Sequence, residues 1–264
     1  MRVAFLEPRM HAFSPTPQRD PAAGLPLPTA PVPLGSGARV FIRTATSGDL
    51  KATAVLQILE LPMGLFPRLG RGFVARWHQT FLDSAHAVAL VAVRRDDSDA
   101  EEVVGFLVGS TDRRAFRREL LTRHRFGLMA RGIAALVVRP RVLAGFLRTR
   151  VRPYLCRLGG RDVAGRPGEA APPGRPGAVG DLTAIAVSGS ARRGGAGRRL
   201  TEIYLGRCAA VGADWVELVT LADAVGARTF YSSTGWTALD DDCTRDGLNV
   251  RRFGRRPGCP EGTR

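Results

Sequence analysis

Asp181-Leu182-Thr183-Ala184-Ile185-Ala186-Val187-Ser188-Gly189-Ser190-Ala191-Arg192-Arg193-Gly194-Gly195-Ala196-Gly197-Arg198-Arg199-Leu200 joins three local signals in a fixed order. Asp181–Val187 is short and rich in branched aliphatic residues, so it reads as a strand. Glycines follow, and then Leu200, Ile203, Tyr204, Cys208 and Val211 recur at helical spacing up to Gly212. A strand, a glycine-rich turn and a helix leave backbone N–H groups facing whatever sits at the helix N-terminus, where the helix dipole adds positive potential. At Gly194, Gly195 and Gly197 the absence of a side chain permits close approach of the backbone to a ligand. The stretch predicts a loop that cradles phosphate.

The glycine spacing selects among such loops. The dinucleotide fingerprint needs a third glycine where this chain has Leu200, and the nucleotide-triphosphate loop needs Gly-Lys-Ser/Thr, whereas the single lysine is Lys51. Arg192-x-x-Gly195-x-Gly197 resembles the Q/R-x-x-G-x-G/A signature of the GNAT (Gcn5-related) N-acetyltransferases. Downstream, Trp215–Thr220 reads as a strand, and Ala227-Arg228-Thr229-Phe230-Tyr231-Ser232-Ser233-Thr234-Gly235-Trp236 resembles the A-x-x-F-Y-x-x-x-G-F element of that family. One departure is Ala224, where the family usually carries Asn. Upstream, Val40–Leu50 is similar to the family's opening strand and turn, and His86–Arg94 with Glu102–Thr111 to its early hairpin.

The resemblance implies an α/β fold: a mixed, mostly antiparallel central sheet flanked by helices, with a helical insertion between the third and fourth strands. It implies acetyl-coenzyme A as cofactor, held by Val187, Arg192, Arg193, Gly194, Gly195, Ala196, Gly197 and Arg198. Arg199 is a further candidate beside the diphosphate and Arg228 beside the 3′-phosphate. Tyr231 takes the position of the tyrosine that protonates the departing thiolate. Asp181, counted back from Val187, takes that of a catalytic carboxylate, with Glu217, His78, His86 and His124 as alternatives for the base. The expected function is an acetyl-CoA-dependent N-acetyltransferase working by direct transfer on a small-molecule amine, such as a metabolite, an amino sugar or a natural-product intermediate. Transfer to oxygen, another acyl group, or a non-catalytic acyl-CoA-binding module are the alternatives.

Composition adds boundaries. Cys156, Cys208, Cys243 and Cys259 are far apart with no C-x-x-C spacing, and no H-E-x-x-H run occurs, so no metal is expected. Free thiols and the lack of a signal-like N-terminus predict a cytoplasmic protein, monomeric or homodimeric. The net charge of +15 is almost entirely arginine, which reflects composition more than a nucleic-acid footprint; no specific nucleic acid is expected.

Residues 1–38, rich in Pro, Gly and Ala, predict a disordered tail. Residues 39–256 read as one domain. It starts with a strand near 39–45, helices near 48–60 and 69–82, and a hairpin over about 86–111. Within it, 112–157 is a basic helical insertion and 158–180 a Gly/Pro-rich linker; 257–264 is a flexible tail. Between Asp112 and Arg152 twelve arginines face two acids. Three readings stay open for this insertion: capture of an anionic acceptor, contact of 112–152 with an anionic membrane surface, or a solvated arginine face.

Overall fold

The computed structural model describes residues 32–33, 39–95, 100–139, 142–143, 178–244 and 247–258. The predicted N-terminal tail apart from 32–33, most of the predicted linker, the insertion beyond 143, Cys156 and Cys259 lie outside these residues.

The chain alternates strands and helices around one sheet. Arg39–Thr44 (β1) is followed by a 3-10 turn and Leu50–Glu60 (α1), Leu65–Leu69 (α2) and Arg71–Leu82 (α3). Ala87–Arg95 (β2) and Glu101–Ser110 (β3) form the hairpin, and Arg113–Glu119 (α4), a π-turn at Leu120–His124 and Arg125–Val137 (α5) form the described part of the insertion. Ala178–Val187 (β4), Ala196–Ala210 (α6), Ala213–Leu221 (β5), Val225–Ser233 (α7), Thr237–Cys243 (β6) and Asn249–Arg255 (β7) complete the chain. The spatial order is β1-β2-β3-β4-β5-β7-β6, with the two-residue strand Val32–Pro33 added outside β1. Every neighbouring pair is antiparallel except β4–β5.

Three boundaries differ from the sequence reading. β4 begins at Ala178, inside the stretch read as linker, because Ala178–Leu182 pairs in parallel with β5. Val32 and Pro33, placed in the disordered tail, pair with Val40 and Arg39. β7 was not anticipated: its buried Val250 and Phe253 are separated by Arg251 and Arg252, so no clean alternation marks it.

Why the sheet carries helices on both faces is written in β2. All of Ala87–Val93 is buried, and alternate residues enter opposite cores. Ala87, Ala89, Val91 and Val93 pack with Leu56 of α1, Phe81 of α3 and Phe116 of α4. Val88, Leu90 and Ala92 pack with Leu200, Ile203 and Tyr204 of α6. Tyr204 is fully buried and donates from its hydroxyl to the Ser110 carbonyl at 2.7 Å. Its ring lies where a Cβ on Gly109 would stand, 2.8 Å from Cε2, so only glycine lets this helix seat on the sheet. In the insertion, Asp112 caps α4 by accepting from the Arg114 and Ala115 N–H groups, at 2.9 and 3.0 Å. No helix among the described residues is long and apolar enough to cross a membrane.

Candidate active site

β4 and β5 stay paired only through Leu182 and Leu218, and beyond them the two strands part. On its other side β4 remains bonded to β3, with the Ser188 N–H donating to the Val104 carbonyl at 2.8 Å. Backbone groups alternate in direction along a strand, so the N–H and carbonyl of Val187 face the gap that β5 has left. A pair of parting inner strands thus presents peptide groups that have no strand partner on that side; the Val187 carbonyl accepts from Arg192 Nε at 3.2 Å.

The chain leaves that gap through a short 3-10 turn, Gly189–Ala191, and enters α6. Two residues of the connection adopt left-handed backbone angles, Arg193 at φ 64° and Gly195 at φ 78°. For arginine this conformation costs about 1 kcal/mol, and such strain concentrates where the backbone must aim its N–H groups. Left-handed residues next to a helix start are the backbone arrangement that makes an anion-binding concavity. Gly195 is the N-cap of α6 and makes no side-chain cap, an arrangement in which a helix start can offer its first N–H groups to a ligand. A Cβ on Gly197 would stand 3.7 Å from Phe230 and Val187, an ordinary contact, in keeping with a position where the signature tolerates alanine.

Loop, strand end and α7 enclose a cavity of about 600 Å³. Of the residues anticipated for cofactor binding, Val187, Arg192, Arg193, Gly195, Ala196, Gly197 and Arg198 line it; Gly194 does not. Arg199 is absent from the wall and pairs with Glu202 at 3.1 Å. Arg228 lies on the far side of α7, where it borders a separate cavity and donates to the Ala222 carbonyl at 3.3 Å. An uncapped helix start, a left-handed loop, three arginines and strand groups that face the gap fit a diphosphate joined to an amide-bearing arm.

Tyr231 also lines the cavity. Its ring is held by Phe230, Trp236 and Phe253, with centroids 5.2, 5.9 and 5.6 Å away. Burial pushes the phenol well above its usual range, so the hydroxyl keeps its proton at neutral pH.

The residues anticipated for the base are elsewhere. Asp181 does not line the cavity: it sits in the paired part of β4, opposite Glu217, about 20 Å of strand from Val187. Arg113 bridges the two carboxylates, 3.5 Å from Asp181 and 2.7 Å from Glu217, and Thr183 donates to Asp181 at 2.9 Å. Burial alone pushes the Glu217 carboxyl up, but Arg113 and Arg252 outweigh it and hold it below the usual carboxylate range. His78 is buried; its Nε2–H donates to Gln57 at 2.6 Å and its Nδ1 lies 2.9 Å from the Thr53 hydroxyl. His86 is exposed, and His124 is buried at the end of the insertion's π-turn; neither lines the cavity.

Burial pushes the His78 pKa down to about 4, so the ring is a neutral strut. On acidification the unfolded chain takes up this proton first. The folded state therefore loses stability between about pH 6.5 and pH 4, by an amount on the order of 3 kcal/mol. Denaturant midpoints measured at pH 7.5, 5.5 and 4.5 should show a shallower fall in His78→Gln than in the wild type; parallel curves would mean the ring titrates normally.

One wall residue escaped the sequence reading. Glu60, the last residue of α1, lines the cavity and forms an ion pair with Arg192. The Gly189 N–H donates to its other carboxylate oxygen at 3.3 Å. No local signal marks it, since the contact joins segments more than a hundred residues apart.

Residues 176–253 match the Acetyltransferase (GNAT) domain. Among solved structures, SsHAT is 18% identical, with a TM-score of 0.50 over 83% of this chain and 98% of that one. Ard1 from Thermoplasma volcanium is 15% identical, with a TM-score of 0.47 over 82% and 97%. Arabidopsis thaliana NAA60, solved in complex with acetyl-CoA, is 12% identical, with a TM-score of 0.49 over 82% and 98%. At these identities the likeness is one of fold. No curated protein sequence matches the chain.

Proposed function

We propose that this chain, whose residues 176–253 belong to the GNAT acetyltransferase family, transfers an acetyl group from acetyl-CoA directly to the nitrogen of a small-molecule amine. The observation that carries the reading is the left-handed Arg193–Gly195 loop standing at the open end of the parted strands, in one cavity with Tyr231. Bound acetyl-CoA would supply the activated thioester.

The chain's own residues do the rest. The N–H groups at the start of α6, with Arg193 and Arg198, hold the diphosphate at the mouth of the gap. The Val187 N–H, directed into the gap, orients the thioester carbonyl and offers a hydrogen bond to the charge that develops on its oxygen. Tyr231 keeps its proton at neutral pH and donates it to the leaving sulfur. Direct transfer is favoured because no cysteine among the described residues lines the cavity. Asp181, engaged by Arg113 and Thr183, is not retained as the base.

The reading extends to the whole of 39–256 as one catalytic domain. Among the described residues of the insertion, Arg114, Arg117, Arg118, Arg123, Arg131 and Arg139 are exposed. A lysine-rich peptide would meet a like-charged approach there, which favours small acceptors. A cytoplasmic setting suits Cys208 and Cys243, both free thiols.

The test is release of free thiol from acetyl-CoA in the presence of a panel of primary amines. Thiol release with matching N-acetyl product supports the reading. Coenzyme A binding without thiol release from any amine or alcohol would make the chain a binding module instead.

A further inference from the structure

The cavity wall carries three arginines and, among the described residues, a single acid, Glu60. Its carboxylate has been brought there by tertiary structure: α1 ends against the loop, and Leu61 continues along the same wall. Arg192 holds it, and the same guanidinium donates through Nε to the Val187 carbonyl at 3.2 Å. Glu60 therefore stands one guanidinium width from the strand end whose backbone faces the gap. Its side chain is 21% exposed, so it is neither sealed in the core nor free in solvent.

We propose that Glu60 is the acceptor-binding carboxylate and general base: it takes up the acceptor as an ammonium cation and then removes the proton that frees the nitrogen lone pair. The proposal rests on the acetyl-transfer reading and adds to it the acceptor's charge class, an aliphatic amine that is positive at neutral pH. Three features carry it. The other carboxylates near β4, Asp181 and Glu217, are committed to Arg113 and lie outside the cavity. Tyr231, the proton donor for the opposite side of the reaction, shares the cavity with Glu60. The present partner of Glu60 is itself a cation, so an ammonium ion replaces like with like.

That partner also orders the events. Arg192 is the first residue of the loop signature, and a diphosphate seated in the loop competes with Glu60 for its guanidinium. The dianion is the stronger claimant, and its arrival releases the carboxylate towards the gap. Cofactor thus binds first and exposes the acceptor site. In the step that follows, an ammonium proton passes to Glu60 and the nitrogen bonds to the acetyl carbon. The carbon–sulfur bond breaks, and the sulfur takes the Tyr231 proton. The second proton shed from the nitrogen as the amide forms leaves to solvent, Glu60 passes its proton to solvent, and solvent reprotonates Tyr231.

The experiment compares wild type with Glu60→Gln, using the primary amine from the panel that gives the fastest thiol release. The expected result is an acceptor KM raised at least tenfold and loss of the acid limb of the kcat/KM pH profile. The rise in Tm given by coenzyme A should be undiminished, because the variant removes a competitor for Arg192. Acceptor KM and pH profile within twofold of wild type would overturn the proposal while leaving the acetyl-transfer reading intact. A wild type that releases no thiol with any amine would overturn the reading itself. Glu60→Asp keeps the charge but withdraws it by one methylene; with the same coenzyme A shift it should fall between wild type and Gln in KM. This readout also serves should Glu60→Gln melt before assay.

Discussion

Gly195→Glu should abolish the rise in melting temperature that coenzyme A gives the wild-type protein. Gly195 caps α6 with φ 78°, a conformation that costs a residue with a side chain about 1–2 kcal/mol. The larger effect is electrostatic. A glutamate at this position sets a carboxylate against the helix N-terminus, where the diphosphate is proposed to sit, so it both blocks the N–H groups and repels the ligand. At a hundredfold excess of ligand over Kd, wild type gains about 2.7 kcal/mol, or roughly 5–10 °C for a domain of this size. The variant should show no shift, while its own Tm without ligand falls by only a few degrees. An equal shift in both proteins would put the cofactor somewhere other than the loop.

Tyr231→Phe separates chemistry from binding. The phenylalanine ring preserves the packing against Phe230, Trp236 and Phe253, so the coenzyme A shift should persist. Without a proton donor for the departing sulfur, kcat should drop by about a hundredfold or more. Because burial raises the phenol's pKa, the loss should hold from pH 6 to pH 9, with no recovery at the alkaline end. A kcat within twofold of wild type would make Tyr231 a packing residue and nothing more.

What the sequence disclosed and what it hid follow a physical division. The loop was legible because everything that makes it is local: a strand, glycines at the left-handed turn, and a helix, all within twenty residues. The Phe230–Tyr231 pair was legible for the same reason, as one helix turn closed by Gly235 at φ 77°. Asp181 was misplaced by a count along the strand. Leu182 pairs with Gly109 and Ala184 with Val108, so Thr183 is an extra residue that bulges from β4. A bulge reverses the faces of everything beyond it, and Asp181 falls on the side of α4, against Arg113. Nothing in the amino acids around Thr183 announces that inserted residue. Glu60 was hidden differently, because its partner is 132 positions away and only the packing of α1 on the sheet brings them together.

The parting of β4 from β5 also bears on how this protein behaves in a crowded solution. Strand edges are the places where chains recruit one another into aggregates, and proteins blunt them with charge. Most sheets have edges only at their margins; this one has two more in its middle, along the unpaired stretch beyond Leu182 and Leu218. Arg192, Arg193 and Arg198 stand beside that opening as gatekeepers against an extended segment of another molecule. A ligand lying in the gap covers the same backbone. Light scattering on heating should therefore begin at a lower temperature in ligand-free protein than in protein saturated with coenzyme A. It should begin earlier still once those arginines are replaced by glutamine, which leaves the opening without its guard.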